Sequence, residues 1–170
     1  VPEFDSRALF EKLILDGFQA GLSWITILRK RDNFRAAFDG FEPEIIAHYT
    51  EKDIQQCLND AGIIRHRGKI EATIGNAQAF LNLRNAGQEF NDFCWRFVDG
   101  KPVINTFQTT QEIPTQNDVS RNLSKALKQA GFKFCGPVIV YAFMQAVGMV
   151  NDHLVECPQY EKCKNLAENL

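Results

Sequence analysis

Apolar residues recur at helical spacing along most of the chain. Leu9, Phe10, Leu13 and Ile14 form one stripe, and Ser6 ahead of them predicts a helix capped there and running to Asp16. Ser23 is placed to cap a second helix carrying Trp24, Ile27 and Leu28, with residues 33–38 continuing it or closing it in a short turn. Pro43 suits the first turn of a helix reaching His48. Thr50 and Asp53 have capping-box spacing and open a helix that stops at Gly62. Ile70, Ile74, Ala77, Phe80 and Leu81 predict a long helix from Arg67 to Arg84, ending near Gly87, and Phe90, Phe93, Trp95 and Phe97 predict a shorter one. Residues 100–116 lack a helical period and read as an extended crossover. Thr115 with Asp118 is a second capping box, opening a helix to Gln129; residues 131–136 make a tight turn, and Pro137 starts an apolar helix that ends at Gly148. Alternating strand patterns are almost absent and no repeat is visible, so the class is all-α.

The 170 residues, 45% of them apolar, suit a single domain over 1–170, either one compact body or two small lobes sharing a cleft. Phe outnumbers Tyr and Trp by 14 to 3 and 2, which places most aromatic surface inside. A net charge of −2 argues against a protein that coats nucleic acid by bulk electrostatics. The charge is uneven, however: Arg121, Lys125, Lys128 and Lys133, the run Arg29–Arg31, and the run Arg65–Lys69 are basic clusters able to grip a few phosphates. Five cysteines, an odd number in dissimilar contexts, make a poor disulfide framework and suggest a reducing, cytoplasmic setting. The longest apolar run, Pro137 to Val150, is broken by Gln145 and is too short to cross a bilayer. The chain opens at Val1 without a methionine, in a loop-like VPEFDS, which suggests that residues lie upstream of it.

Three segments carry candidate chemistry. In DGFQAGLSWITILRKR, Asp16 closes an apolar helix, Trp24 follows two glycines, and Arg29, Lys30 and Arg31 come next. A carboxylate, an aromatic plate and phosphate-seeking charges are what holding an extruded, electron-poor nucleobase requires; the plainer reading is a helix turn with a buried Trp. In GFKFCG, Gly131 and Gly136 bound a turn between two helices and free the backbone for conformations closed to other residues. The N–H groups opening the second helix suit a phosphate oxygen, with Lys133 and Lys128 adding charge; an ordinary αα-corner is the alternative. Third, His153 and Cys157 at His-x3-Cys spacing supply two of the four ligands of a structural zinc, with Cys163 nearby, or else form a capped loop and a buried thiol. Arg65-His66-Arg67 with Lys69 touches phosphates, buttresses a pocket or simply opens a solvated helix, whereas Trp95 and its Phe neighbours read as core.

The segments DGFQAGLSWITILRKRDNFRAAF, DAGIIRHRGKI, GNAQAFL and SKALKQAGFKFCGPVIVYAFMQAVGMVNDH, with His153-x3-Cys157, resemble the DNA-3-methyladenine glycosylase I family, in order and over nearly the whole chain. The resemblance implies an all-α helix-hairpin-helix DNA glycosylase fold, two helical lobes around a base-binding cleft, and hydrolytic excision of 3-methyladenine from double-stranded DNA, by a monomer. It implies that Trp24 stacks on the damaged base and that Asp16 stands where the family carries glutamate, one methylene longer, as the catalytic and base-binding carboxylate. Gln19 and Leu22 fall in the stretch that fills or wedges the opened duplex. Gly131, Lys133 and Gly136 match the hairpin that holds the DNA backbone. His153 and Cys157 match the C-terminal half of a zinc site whose other Cys and His ligands, with a Tyr and a Trp of the pocket, lie in an upstream segment that this sequence does not contain.

Where related glycosylases carry an Asp after the hairpin helix, Asn151 stands here with Asp152 beside it, and no lysine lies between Phe134 and Asp152. A monofunctional enzyme without a Schiff-base step is therefore expected. The competing classes are a non-catalytic helix-hairpin-helix DNA-binding module, which grips DNA without releasing a base, and a helical adaptor, which shows no salt-dependent DNA affinity.

Overall fold

The computed structural model describes residues 1–169. Nine α-helices are found among them: α1 Ser6–Gln19, α2 Trp24–Ala37, α3 Pro43–Ile46, α4 Glu51–Asn59, α5 Arg67–Asn85, α6 Phe90–Trp95, α7 Asp118–Gln129, α8 Pro137–Ala146 and α9 Pro158–Glu168. Helix α1 is buried on nearly all sides, with Leu9, Phe10, Leu13, Ile14, Leu15 and Phe18 all inaccessible, and it packs against α2, α5, α6 and α8. The buried apolar residues form one contiguous cluster from Leu9 to Val150.

Phenylalanines tie that cluster together. On one side Phe18 meets Phe34 at 4.8 Å between ring centroids. On the other, Phe10 meets Phe80 at 5.4 Å, Phe80 meets Phe90 at 5.4 Å and Phe90 meets Phe132 at 5.3 Å. Phe132 lies in the turn between α7 and α8, so this chain of rings anchors the hairpin to the middle of α1. Trp95 is core, as expected, and its indole N–H donates to the Glu3 carbonyl at 2.8 Å.

Several ends differ from the sequence expectation. Asp5, not Ser6, caps α1: its carboxylate accepts from the Ala8 N–H at 2.7 Å, while the Ser6 hydroxyl instead bonds Asn91 at the start of α6. Asn117, not Thr115, caps α7, because Asn117 and Ser120 satisfy each other's backbone N–H groups at 2.8 and 2.9 Å. Helix α4 ends at Asn59 and α8 at Ala146, each short of the expected glycine. The crossover contains a short strand, β1 (Val103–Ile104), paired in parallel with β2 (Val150–Asn151). Helix α9, opened by Pro158 in its first turn, was not expected.

The hairpin turn is pinned from a distance. The Asn76 side chain of α5 accepts from the Lys133 N–H at 2.8 Å and donates to the Lys133 carbonyl at 3.1 Å, and the Ser124 hydroxyl donates to the Cys135 carbonyl at 2.6 Å. Gly17 of α1 lies so close that a Cβ there would sit 3.3 Å from Phe134. Replacing Asn76 by Ala leaves both Lys133 backbone groups unpaired in a half-buried setting. Chemical denaturation of N76A should show a loss of about 1–3 kcal/mol in unfolding free energy.

Candidate active site

Three helices converge on one cavity. Lys12, Asp16 and Gln19 lie along one face of α1, Trp24 opens α2, and Ala142, Gln145 and Ala146 line the facing side of α8. The cavity measures about 370 Å³, within the range of small-molecule sites, and two alanines on α8 leave the room. The Asp16–Trp24 pairing expected from the sequence is therefore a pairing in space.

Asp16 is 3% exposed. One of its carboxylate oxygens is held by the Lys12 ammonium, while the other is buried with no hydrogen-bond partner. A buried carboxylate with an open acceptor is costly unless a ligand completes it. Burial raises the Asp16 carboxyl from its ordinary 3.8 to about 6, against the opposing pull of Lys12. The Lys12 ammonium also lies 3.9 Å from the centre of the Trp24 ring, and Trp24 is 37% exposed where it lines the cavity. Burial and the Arg31 charge lower the Lys12 pKa, opposed by Asp16.

Sequence reasoning did not single out Lys12 or Gln145. The i,i+4 spacing of Lys12 and Asp16 was a readable signal for the first. Gln145 was visible as the polar break in an apolar run; in the fold it is a pocket wall, its amide donating to Asp152 at 2.8 Å.

Gln19 and Leu22 lie at the loop between α1 and α2. The Gln19 amide donates to the Leu22 carbonyl at 2.7 Å, and Leu22 is exposed. The basic run Arg29–Arg31 is mostly committed within the fold. Lys30 donates to the Ala61 and Gly62 carbonyls at 3.0 and 3.2 Å, and Arg31 joins Arg35 on the buried Glu11, each at 2.9 Å, clamping α2 to α1. The Arg65–Lys69 cluster is chiefly a buttress. Lys69 donates to the Phe18 and Ala20 carbonyls at the end of α1 at 3.0 and 3.1 Å, Arg67 pairs with Glu51 and Glu71, and His66 caps α5.

In the hairpin turn, Gly131 adopts φ +100°, which requires glycine, but Gly136 sits at φ −64°, open to any residue; the second left-handed position is Phe134 at φ +53°. The expectation for Gly136 is corrected accordingly. The Lys133 N–H faces Asn76, and by helical geometry Val138 and Ile139 are left with free N–H groups in the first turn of α8. Asn151 is buried in β2 and donates to the Tyr160 carbonyl at 3.1 Å. Asp152 accepts from Asn105, Tyr141 and Gln145 at 2.6, 2.7 and 2.8 Å.

The His153 ring nitrogen Nδ1 and the Cys157 thiol lie 3.8 Å apart. Among the described residues no third His, Cys, Asp or Glu joins them in a metal-holding group. Two donors fall short of a closed tetrahedral zinc site.

A mostly helical body with a glycine-bounded hairpin beside a cavity of about 370 Å³ is of the helix-hairpin-helix class. The model of the family described as methyladenine glycosylase matches residues 1–160. The chain is 54% identical over 160 residues to the DNA-3-methyladenine glycosylase 1 of Escherichia coli strain K12, covering 94% of this chain and 86% of that protein. It is 52% identical over 157 residues to the DNA-3-methyladenine glycosylase of Haemophilus influenzae, covering 92% and 85%. It is similar, with TM-score 0.91 and 42% identity over 94% of this chain and 86% of the other, to a 3-methyladenine DNA glycosylase I variant crystallised with 3-methyladenine. The chain belongs to the methyladenine glycosylase family.

Asp16 also sets a pH dependence of stability. The native state keeps this proton up to about pH 6, whereas an ordinary carboxyl loses it near 3.8. Unfolding therefore releases a proton between those values, and stability falls as pH rises through that window. Denaturant melts across pH 4 to 6 should show this negative slope in the native chain and its absence in D16N.

Proposed function

We propose that this protein is a base-excision repair glycosylase that hydrolyses the N-glycosidic bond of 3-methyladenine in duplex DNA. The observation that carries the reading is the single cavity shared by the Trp24 indole and the half-paired Asp16 carboxylate. Family membership supplies the substrate. Methylation at N3 makes the adenine cationic. When the glycosidic bond breaks, its electron pair goes to the ring, the base leaves neutral, and water adds to the sugar with loss of a proton. A strong general acid is unnecessary, so recognition of charge does much of the work.

Within that scheme Trp24 stacks on the base, with a cation–π gain of about 0.5–2 kcal/mol. The Asp16 carboxylate accepts from the exocyclic amine through its unpaired oxygen and favours the positive ring. One methylene shorter than glutamate, it brings the contact closer to the α1 backbone. Leu22 is exposed at the loop where an opened duplex would need filling, and Gln19 braces that loop. The Val138 and Ile139 N–H groups, at the positive end of α8, take a backbone phosphate, with Lys128 and Lys133 supplying charge; such contacts position DNA without reading sequence. For zinc, His153 and Cys157 would provide one imidazole and one thiolate of a four-ligand set. Among the described residues no helix is long and apolar enough to cross a membrane, and the expected location is the cytoplasm, where DNA is reached directly.

Incubation with methylated duplex DNA should release free 3-methyladenine. Trp24→Ala should lower kcat/KM about 10- to 100-fold, the combined loss of stacking and cation–π attraction. In the native chain kcat/KM should fall as pH drops below about 6, with protonation of Asp16. Borohydride should trap no covalent adduct. DNA binding without base release contradicts the reading and supports a non-catalytic module.

A further inference from the structure

Among the described residues Lys12 is the one cationic side chain lining the cavity, and its position is the one a ligand would want. Its ammonium holds Asp16 and sits over the Trp24 ring, 3.9 Å from the centroid. The proposed function gives the methylated base the same Trp24 ring and the other oxygen of the same carboxylate, so a base stacked on Trp24 drives the ammonium off the ring and with it away from Asp16. We infer that Lys12 is a displaceable internal cation: it occupies the base contacts in the free enzyme, yields only to a positively charged base, and returns when the base becomes neutral on cleavage.

The surroundings fit an exchange of one cation for another. The Lys12 side chain is only 16% exposed, so it is held in place rather than solvated. The charged group facing it from α2 is Arg31, which shares the one Glu11 carboxylate with Arg35, each at 2.9 Å, so its remaining charge weakens the hold on the Lys12 ammonium. The wall from α8 offers the neutral amide of Gln145 and two alanines. Beside the main cavity lies a second hollow of about 40 Å³, lined by Lys12, Leu15, Trp24, Ile27, Leu28 and Arg31, so the lysine stem is not packed tightly on that side.

The energetics then discriminate by charge. A neutral adenine entering the pocket would break the Lys12–Asp16 pair without replacing its charge. A cationic base replaces both the ion pair and the cation–π contact, so the exchange is nearly balanced and stacking area decides it. After cleavage the product is neutral and loses that compensation. The ammonium regains Asp16 and Trp24, and product release is favoured. Lys12 thus acts as a specificity-determining residue in recognition and as a positioning residue for Asp16.

The inference rests on the proposed function, and the test separates the two. The wild-type chain must first release 3-methyladenine from methylated DNA; absence of release overturns the function itself. Given release, the affinity of free, neutral 3-methyladenine is measured at pH 8 by quenching of Trp24 fluorescence for the wild type, K12M, K12Q and K12R. K12M and K12Q should bind the free base about tenfold tighter and show stronger product inhibition, while K12R should stay near the wild type. The acid limb of the kcat/KM profile should also move to higher pH in K12M and K12Q, because Asp16 loses the charge that opposes its burial. Unchanged or weaker binding of the free base in both neutral variants, with melting temperatures near the wild type, overturns the inference.

Discussion

The structure turns on a carboxylate placed where carboxylates are expensive. Asp16 is buried where three helices meet, one oxygen held by Lys12 and the other left open, beside the face of Trp24. Its desolvation is strong enough to outweigh an adjacent ammonium and raise the carboxyl to about 6. A fold optimised only for stability would place an apolar residue there. In the proposed function a positively charged, hydrogen-bonding ring completes the open oxygen.

The surrounding architecture keeps that arrangement in place. Helix α1 is locked by the Phe10, Phe80, Phe90 and Phe132 rings on one side and by Phe18 and Phe34 on the other. Glu11 clamps α2 to α1 through Arg31 and Arg35, holding the helix that carries Trp24 against the one that carries Asp16. Lys69 holds the C-terminal carbonyls of α1, and Gly17 lets Phe134 of the hairpin approach the same turn. The element that would grip the DNA backbone and the element that would read the base are thus packed directly together. In the proposed function a phosphate held by α8 would set how far a flipped nucleotide must reach.

Much of this was legible in the sequence because the signals are local. Helical period located α2, α5, α7 and α8 to within about two residues, and the Asp16–Trp24 spacing across a glycine loop pointed to two residues that line one cavity. The misses have a common physical origin. Ser6 and Thr115 are good capping types, but Asp5 and Asn117 compete for the same N–H groups and win by tertiary geometry. The basic residues Lys30, Arg31, Arg67 and Lys69 look like phosphate ligands in one dimension. In three, carbonyls and carboxylates from distant segments claim them. Gly136 resembles a turn glycine, yet Phe134 takes the left-handed conformation, its strain offset by packing and by the Asn76 bridge to Lys133. Lys12 escaped notice because its role depends on Trp24, whose approach no helical pattern on α1 encodes.

The central claim is that Asp16 and Trp24 recognise positive charge rather than shape. It is tested most directly by the ratio of two affinities: for duplex DNA carrying cationic 3-methyladenine on a fluorinated sugar that blocks cleavage, and for the same duplex carrying the neutral 3-deaza isostere. The wild-type chain should prefer the cation by about tenfold or more, and D16N should keep only the smaller preference that Trp24 supplies. An equal ratio in both proteins, whatever its size, would contradict the account.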